Sequence, residues 1–296
     1  MGNLIRFTKM QGCGNDYVYI DCFKENPQDP EKLAIELSDR HFGIGGDGVI
    51  FIRPSKVADC MMDMYNLDGS RGKMCGNGIR CVGKYAYDHG IVSEKEINVE
   101  TLSGIKKLSL YTGADGKVEK VKVDMGQAIF APEQIPLNTD ELSELVKKAG
   151  AMDKSSTGCI RKLPVTINGR VFEFTLVSMG NPHAVTFIDD TAGLDITAYG
   201  PEAETHRLFP EKANIEFIQI VDRKHIKMRV WERGSGETFA CGTGACAAVV
   251  ACVENGYTDN ETEVELLGGK LNIRYEEETG RVFMTGPAVE VFSGEI

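Results

Sequence analysis

The chain has 296 residues, 42% of them apolar and 26% charged, with 33 lysines and arginines against 44 aspartates and glutamates and a formal charge of −11. That length can bury two cores of ordinary size. No apolar run approaches the roughly 20 residues of a membrane span, and an acidic balance without a basic stretch disfavours nucleic-acid backbones. Nine cysteines, an odd count, lie behind a start that carries no signal core, which predicts reduced thiols in a cytoplasmic protein.

In chain order, a Gly14-Asn15 turn precedes a helical pattern at about 30 to 40. The string GIGGDG at 43 to 48 fits G-x-G-x-x-G, but it follows a helix and leads into the strand-like VIFI. A dinucleotide fingerprint needs the reverse order, so the string reads as a turn. CGNGIRCVGKYAYDHG, Cys75 to Gly90, reads as a helix closed by glycine. Asp115-Gly116 and Asn168-Gly169 each sit between β-rich runs and predict hairpins. The stretch 127 to 138, with two prolines and no periodicity, is a candidate linker. NTDELSE opens a helix over 138 to 149. CGTGACAAVVACVENG, Cys241 to Gly256, repeats the earlier glycine-framed helix and is apolar nearly all round, as a helix enclosed by sheet would be. Strand patterns return beyond residue 263.

The two cysteine helices lie 166 residues apart, and the same offset pairs Gly14-Asn15 with Gly180-Asn181 and Phe51-Ile52 with Phe217-Ile218. Between 14–90 and 180–256 eleven of seventy-seven positions are identical without a gap. The identities are few, but they fall on the Gly-Asn turn and the Cys-Gly-x-Gly helix start, which indicates an internal repeat. The expected architecture is α+β: two pseudo-symmetric domains facing each other, each a mostly antiparallel curled, barrel-like sheet around a central helix. The expected boundaries are 1–130 plus 284–296 for the Cys75 half and 131–283 for the Cys241 half.

A helix N-terminus presents unpaired N–H groups and about half a positive charge, so a cysteine there gains thiolate character. The neighbouring glycines let a substrate carboxylate approach the same N–H groups. Two such cysteines on opposite sides of one carbon can remove a proton from one face and return a proton to the other, inverting the centre without a cofactor. The N–H groups of Gly76, Asn77, Gly242 and Thr243 would hold the charge that spreads onto the carboxylate.

The segments FTKMQGCGNDY, RHFGIGGDG, MYNLDGS, MCGNGIRC, MGNPHAV, ANIEF and WERGSGETFACGTGACA resemble the diaminopimelate epimerase family over nearly the whole chain. The resemblance implies cofactor-independent interconversion of LL- and meso-2,6-diaminopimelate, in lysine and peptidoglycan synthesis, by a homodimer. It places the proton acceptor and donor on Cys75 and Cys241, with roles that swap between stereoisomers. It places substrate contacts on Asn15, Asn66, Asn181, Asn214 and Arg233, helix-start amides on Gly76-Asn77 and Gly242-Thr243, the substrate amino group on Glu232, and thiol tuning on His183 and Glu232. Gly48 stands where some members have Gln, so that contact is missing here.

Other readings stay in view. Cys75 and Cys241 as small buried apolar residues, Asn15 and Asn181 as turn formers, His183 as a structural histidine and Glu232-Arg233 as a solvated pair are the plain alternatives. No metal is expected, because the cysteine spacings lack Cys-x-x-Cys and the five histidines do not cluster. The functional rivals are another amino-acid racemase of the same fold, of the proline-racemase kind, and a thiol-based ligand or redox sensor.

Overall fold

The computed structural model describes residues 4–296. The described residues divide into two compact units, one of residues 4–124 with 285–296 and the other of 125–284.

The first unit begins with β1 (Arg6–Gly12), β2 (Asn15–Asp21), α1 (Pro30–Ser38), β3 (Gly48–Arg53), β4 (Cys60–Asn66) and β5 (Arg71–Gly72). It continues with α2 (Gly76–Asp88), β6 (Glu96–Thr101), β7 (Gly104–Thr112) and β8 (Val118–Gln127), within which the boundary falls. The second unit holds α3 (Thr139–Ala149), β9 (Asp153–Lys154), β10 (Ile160–Arg161), β11 (Leu163–Ile167), β12 (Arg170–Ser178), β13 (Pro182–Phe187), α4 (Ile196–Glu204) and β14 (Asn214–Asp222). There follow β15 (His225–Glu232), β16 (Gly236–Glu237), α5 (Gly242–Glu254), β17 (Glu261–Leu266) and β18 (Gly269–Glu276). The chain re-enters the first unit within β19 (Arg281–Pro287) and ends on β20 (Val289–Glu295), which pairs with β1.

The fold is sheet-dominated α+β. Asp115-Gly116 joins β7 to β8. Asn168 and Gly169, at φ 45° and 77°, join β11 to β12 in the doubly left-handed turn that a two-residue hairpin favours. Most pairings are antiparallel, as expected, with the parallel pairs β2–β3, β4–β6, β13–β14 and β15–β17 inserted among them.

The repeat is carried in the register. Val18 faces Val49 across β2–β3, and Ala184 faces Ile215 across β13–β14, each residue 166 positions after its counterpart. Val49↔Tyr65 matches Ile215↔Trp231, and Tyr65↔Arg71 matches Trp231↔Glu237. A one-residue slip would turn every apolar side chain of a strand outward, so shared register reports shared core packing.

Each unit encloses one thirteen-residue helix. Helix α2 packs against β1, β2, β4, β6 and β7 and is buried from Gly76 to Ala86. Helix α5 packs against β12 to β15, β17 and β18, and it is buried on every side from Gly244 to Cys252, which explains why it shows no polar stripe.

Two expectations are corrected. The stretch 127–138 is not a linker: Ile135 and Leu137 are buried in the second unit's core, Ile129 bridges to Ser178, and Asn138 caps α3 by accepting from the N–H groups of Asp140 and Glu141. Helix α4 was not anticipated, because it carries Pro201 and Gly200 in its interior, both poor helix formers. Packing decides there. The ring of Trp231 lies where a side chain on Gly200 would stand, with 2.4 Å to the nearest ring atom.

Candidate active site

Cys75 and Cys241 are the N-cap residues of α2 and α5, with extended backbones at φ −126° and −115°. Each sulfur accepts a hydrogen bond from the third N–H of its helix, Gly78 N at 3.3 Å and Gly244 N at 3.4 Å. Sulfur thus fills the capping role that a serine or aspartate oxygen usually takes, and the helix start is an electrostatic partner for a thiolate.

The glycine three residues after each cysteine admits the floor of its site. A Cβ on Gly78 would stand 2.7 Å from Ile50 Cδ1 and 3.1 Å from Met62 Cε; one on Gly244 would stand 2.7 Å from Glu216 Oε1 and 3.1 Å from Met228 Cε. These pairs obey the repeat offset, so the two floors share one geometry and differ in a single chemistry, isoleucine against glutamate.

In the first unit, Cys75 Sγ donates to Asn15 Oδ1 at 3.1 Å. Asp47 Oδ2 accepts from Asn15 Nδ2 at 2.6 Å and from Asp16 N at 3.1 Å, which fixes the amide with its oxygen toward sulfur. Residues 15, 17 and 19 share one face of β2. Tyr17 is in hydrogen-bonding contact with Cys75 and Asn15, and its phenol is held well above the usual value by burial and then by the charge of Cys75. Tyr19 donates to Gly78 O at 3.2 Å.

Asn77 is buried, its Oδ1 accepting from the fully buried Arg80 at 2.9 Å. Asn66 donates to Ser70 Oγ at 3.0 Å. Gly48 pairs with Asn66 across β3–β4, and a Cβ there would stand 2.1 Å from Tyr65 O and 3.0 Å from the Tyr17 ring, so this backbone leaves no room for a side chain.

In the second unit, Asn181 Nδ2 donates to Thr243 Oγ1 at 3.3 Å, and Thr243 Oγ1 lies 3.6 Å from Cys241 Sγ. His183 places Nε2 3.1 Å from Asn181 Oδ1 and Nδ1 2.7 Å from Glu216 Oε1. The Glu232 carboxylate contacts the Cys241 thiol and accepts from Thr238 Oγ1. Asn214 is buried, with both amide atoms committed to backbone: Nδ2 donates to Pro182 O at 3.1 Å, and Oδ1 accepts from Arg233 N at 2.9 Å. It therefore shapes the turn that carries Arg233, whose exposed guanidinium donates to Glu211 O at 3.1 Å. Gly76 and Gly242 are buried at the first position of their helices.

The electrostatics depart from the expectation for Cys241. Burial pushes its thiol well above the ordinary value, and the nearby Glu232 and Glu216 carboxylates push it further; the Thr243 hydroxyl and the Gly244 N–H act the other way. Desolvation outweighs the helix start. Glu232 is itself raised above the usual carboxylate range, by burial first, with the Thr238 and Cys241 hydrogen bonds opposing. Among the described residues no three metal-ligating side chains gather into a group that could hold a metal ion.

Sequence reasoning missed Glu216, Tyr17 and Asp47. For Glu216 the signal was a lone charge inside the apolar strand NIEFIQI. Tyr17 could have been found by carrying the repeat offset to His183, its counterpart.

A sequence profile of the diaminopimelate epimerase family matches residues 7–131 and 175–291. Diaminopimelate epimerase of Agathobacter rectalis is 53% identical over 292 residues, 99% of each chain, and that of Acetivibrio thermocellus is 51% identical over 99% of this chain and 98% of its own. Among solved structures, a phenazine biosynthesis protein of the PhzF family from Bacillus anthracis aligns with a TM-score of 0.67 at 18% identity over 99% of both chains. A probable proline racemase from Agrobacterium radiobacter aligns at 0.65 and 16%, over 99% of this chain and 92% of its own. The structural likenesses speak for the fold, and the sequence matches reach further, since they run through both cysteine helices and both Gly-Asn turns. With identity above one half along the full chain, the protein belongs to the diaminopimelate epimerase family and is an epimerase.

Proposed function

We propose that the protein epimerises LL-2,6-diaminopimelate to the meso isomer, and back, by proton transfer between two thiols and one substrate Cα, with no pyridoxal-type cofactor. The observation that carries this reading is the pair of N-capping cysteines, equivalent in the repeat, each at a glycine-rich helix start. One cysteine as thiolate takes the α-proton into a new S–H bond. The electron pair left behind delocalises into the α-carboxylate, and the other cysteine gives its S–H proton to the opposite face. The enzyme ends with the two roles exchanged, ready for the reverse substrate.

Two features support the energetics. Helix-start N–H groups aimed at the carboxylate oppose the charge that develops as the Cα–H bond breaks, and one such donor is worth roughly 10²–10³ in rate. Glu232, touching Cys241, offers a base for the thiol and a counter-charge for the substrate ammonium. Asn15, Asn66, Asn181, Asn214 and Arg233 serve substrate binding, several of them at the distal amino-acid end, with Asn214 acting through the Arg233 turn. In biosynthetic terms the reaction belongs to the making of lysine and peptidoglycan precursors.

The test is turnover of LL-diaminopimelate by the reduced protein, followed by NMR, beside an α-amino acid that lacks the second amino-acid end. Conversion of the first and not the second is expected, and Cys75→Ala or Cys241→Ala should abolish it. Undiminished conversion by either variant would exclude the reading.

A further inference from the structure

We propose that Glu216 is a positioning residue for Cys241: it keeps a proton on His183 Nε2 and so sets the direction of a hydrogen-bond chain, through Asn181 and Thr243, that ends with a hydroxyl proton on the Cys241 sulfur. The proposal rests on the reading of Cys241 as a reacting thiol and adds a residue that this reading does not contain.

His183 and Glu216 are both fully buried, 2.7 Å apart. A carboxylate against Nδ1 either accepts from it or, holding the shared proton itself, donates to it. Asn181 offers Nε2 its oxygen, which can only accept, so Nε2 carries a proton; the 2.7 Å contact at Nδ1 then needs a second proton, shared between Nδ1 and the Glu216 carboxyl. Nε2–H then donates to Asn181 Oδ1, which turns the amide nitrogen toward Thr243 Oγ1. With its lone pair engaged by that nitrogen, the Thr243 hydroxyl has its own proton to give, and Cys241 Sγ lies 3.6 Å away. A donor on sulfur favours the thiolate. The chain thus works against burial and the Glu232 and Glu216 carboxylates, which hold Cys241 protonated.

Two further observations mark Glu216 as more than filler. Its second oxygen, Oε2, is buried without a hydrogen-bond partner, a cost that a purely structural residue would shed. The same floor in the other half is made by Ile50, equally buried and equally close to its helix glycine, so the packing alone is met by an apolar side chain. Glu216→Ile and Glu216→Gln both remove the carboxylate, so comparing the two separates the direction of the chain from the loss of a charge. The other groups facing the His183–Glu216 pair are Glu232 on β15 and Cys241 on α5.

The experiment compares Glu216→Ile, which copies the other half's floor, with Glu216→Gln, whose amide can still donate to Nδ1. Nitrogen-15 NMR of histidine-labelled protein reads the tautomer whether or not the epimerase reading holds, and the pH profile of kcat reads the thiol. The wild type and Glu216→Gln are expected to keep the proton on His183 Nε2. Glu216→Ile is expected to populate both tautomers and to place the acid limb of kcat about one pH unit above that of Glu216→Gln, the equivalent of one lost hydrogen bond. Thr243→Val should move the limb equally, and no further when combined with Glu216→Ile. An unchanged tautomer and profile in folded Glu216→Ile, or a Glu216→Gln enzyme as impaired as Glu216→Ile, would overturn the proposal.

Discussion

Cys75 Sγ donates to Asn15 Oδ1 at 3.1 Å, and the other end of that amide is gripped by Asp47. The grip decides which amide atom meets sulfur. In Asp47→Ala the amide is released to rotate and to offer nitrogen instead of oxygen. A roughly tenfold loss of kcat is expected, equivalent to ~1.4 kcal/mol in the barrier, with the midpoint of urea unfolding little changed. An unchanged kcat would show that the orientation of Asn15 is irrelevant to Cys75.

Gly78 and Gly244 allow a matched comparison. An alanine at 78 presses on the end of Ile50, which can change rotamer, and the helix gains up to about 1 kcal/mol of propensity from losing a glycine. An alanine at 244 presses on a carboxylate oxygen already committed to His183. Gly244→Ala should destabilise by about 1–3 kcal/mol, in the range of overpacking, while Gly78→Ala stays near neutral. Urea unfolding midpoints measure both, and equal effects would contradict the difference between the two floors.

The raised thiol of Cys241 sets its reactivity. With the thiol well above its ordinary value, the thiolate fraction at pH 7 falls below the few per cent of an unperturbed cysteine. Iodoacetamide should label Cys241 slowly at pH 7 and faster as pH rises, with no plateau below about pH 9, as peptide mass mapping reads it. Labelling already at its maximum at pH 7 would contradict the burial argument.

Glu232 gives a stability signature. Its folded-state proton affinity is raised, so ionised Glu232 costs stability at every pH above its folded pKa, and the cost disappears once both folded and unfolded states are protonated. Glu232→Gln should therefore raise the melting temperature at pH 7 while abolishing turnover, and the gain should vanish as pH falls below about 4.3. A lower melting temperature at pH 7 would show that the Thr238 and Cys241 contacts outweigh burial.

Much of this was legible in the sequence because the repeat is gapless where it matters. The spacing of Cys75 and Cys241 foretold two equivalent capped helices, and β2–β3 and β13–β14 keep the same register. What stayed hidden depends on burial and packing. Propensity argued against α4, and the ring of Trp231 holds it. The prolines of 127–138 suggested a linker, and the core took Ile135 and Leu137. A helix start predicted an acidic thiol, whereas Cys241 is enclosed with two carboxylates. Glu216 escaped notice because sequence shows a charge and not the imidazole 2.7 Å from it.

The central claim is that two separate thiols serve the two faces of one carbon. Initial-rate turnover of LL-diaminopimelate in deuterated buffer tests it most directly, by reading isotope at the inverted carbon in product and in recovered substrate. Deuterium in the product with protium kept in the substrate is the predicted result. Product that retains the substrate's own proton would mean a single base working on both faces, and would contradict the account.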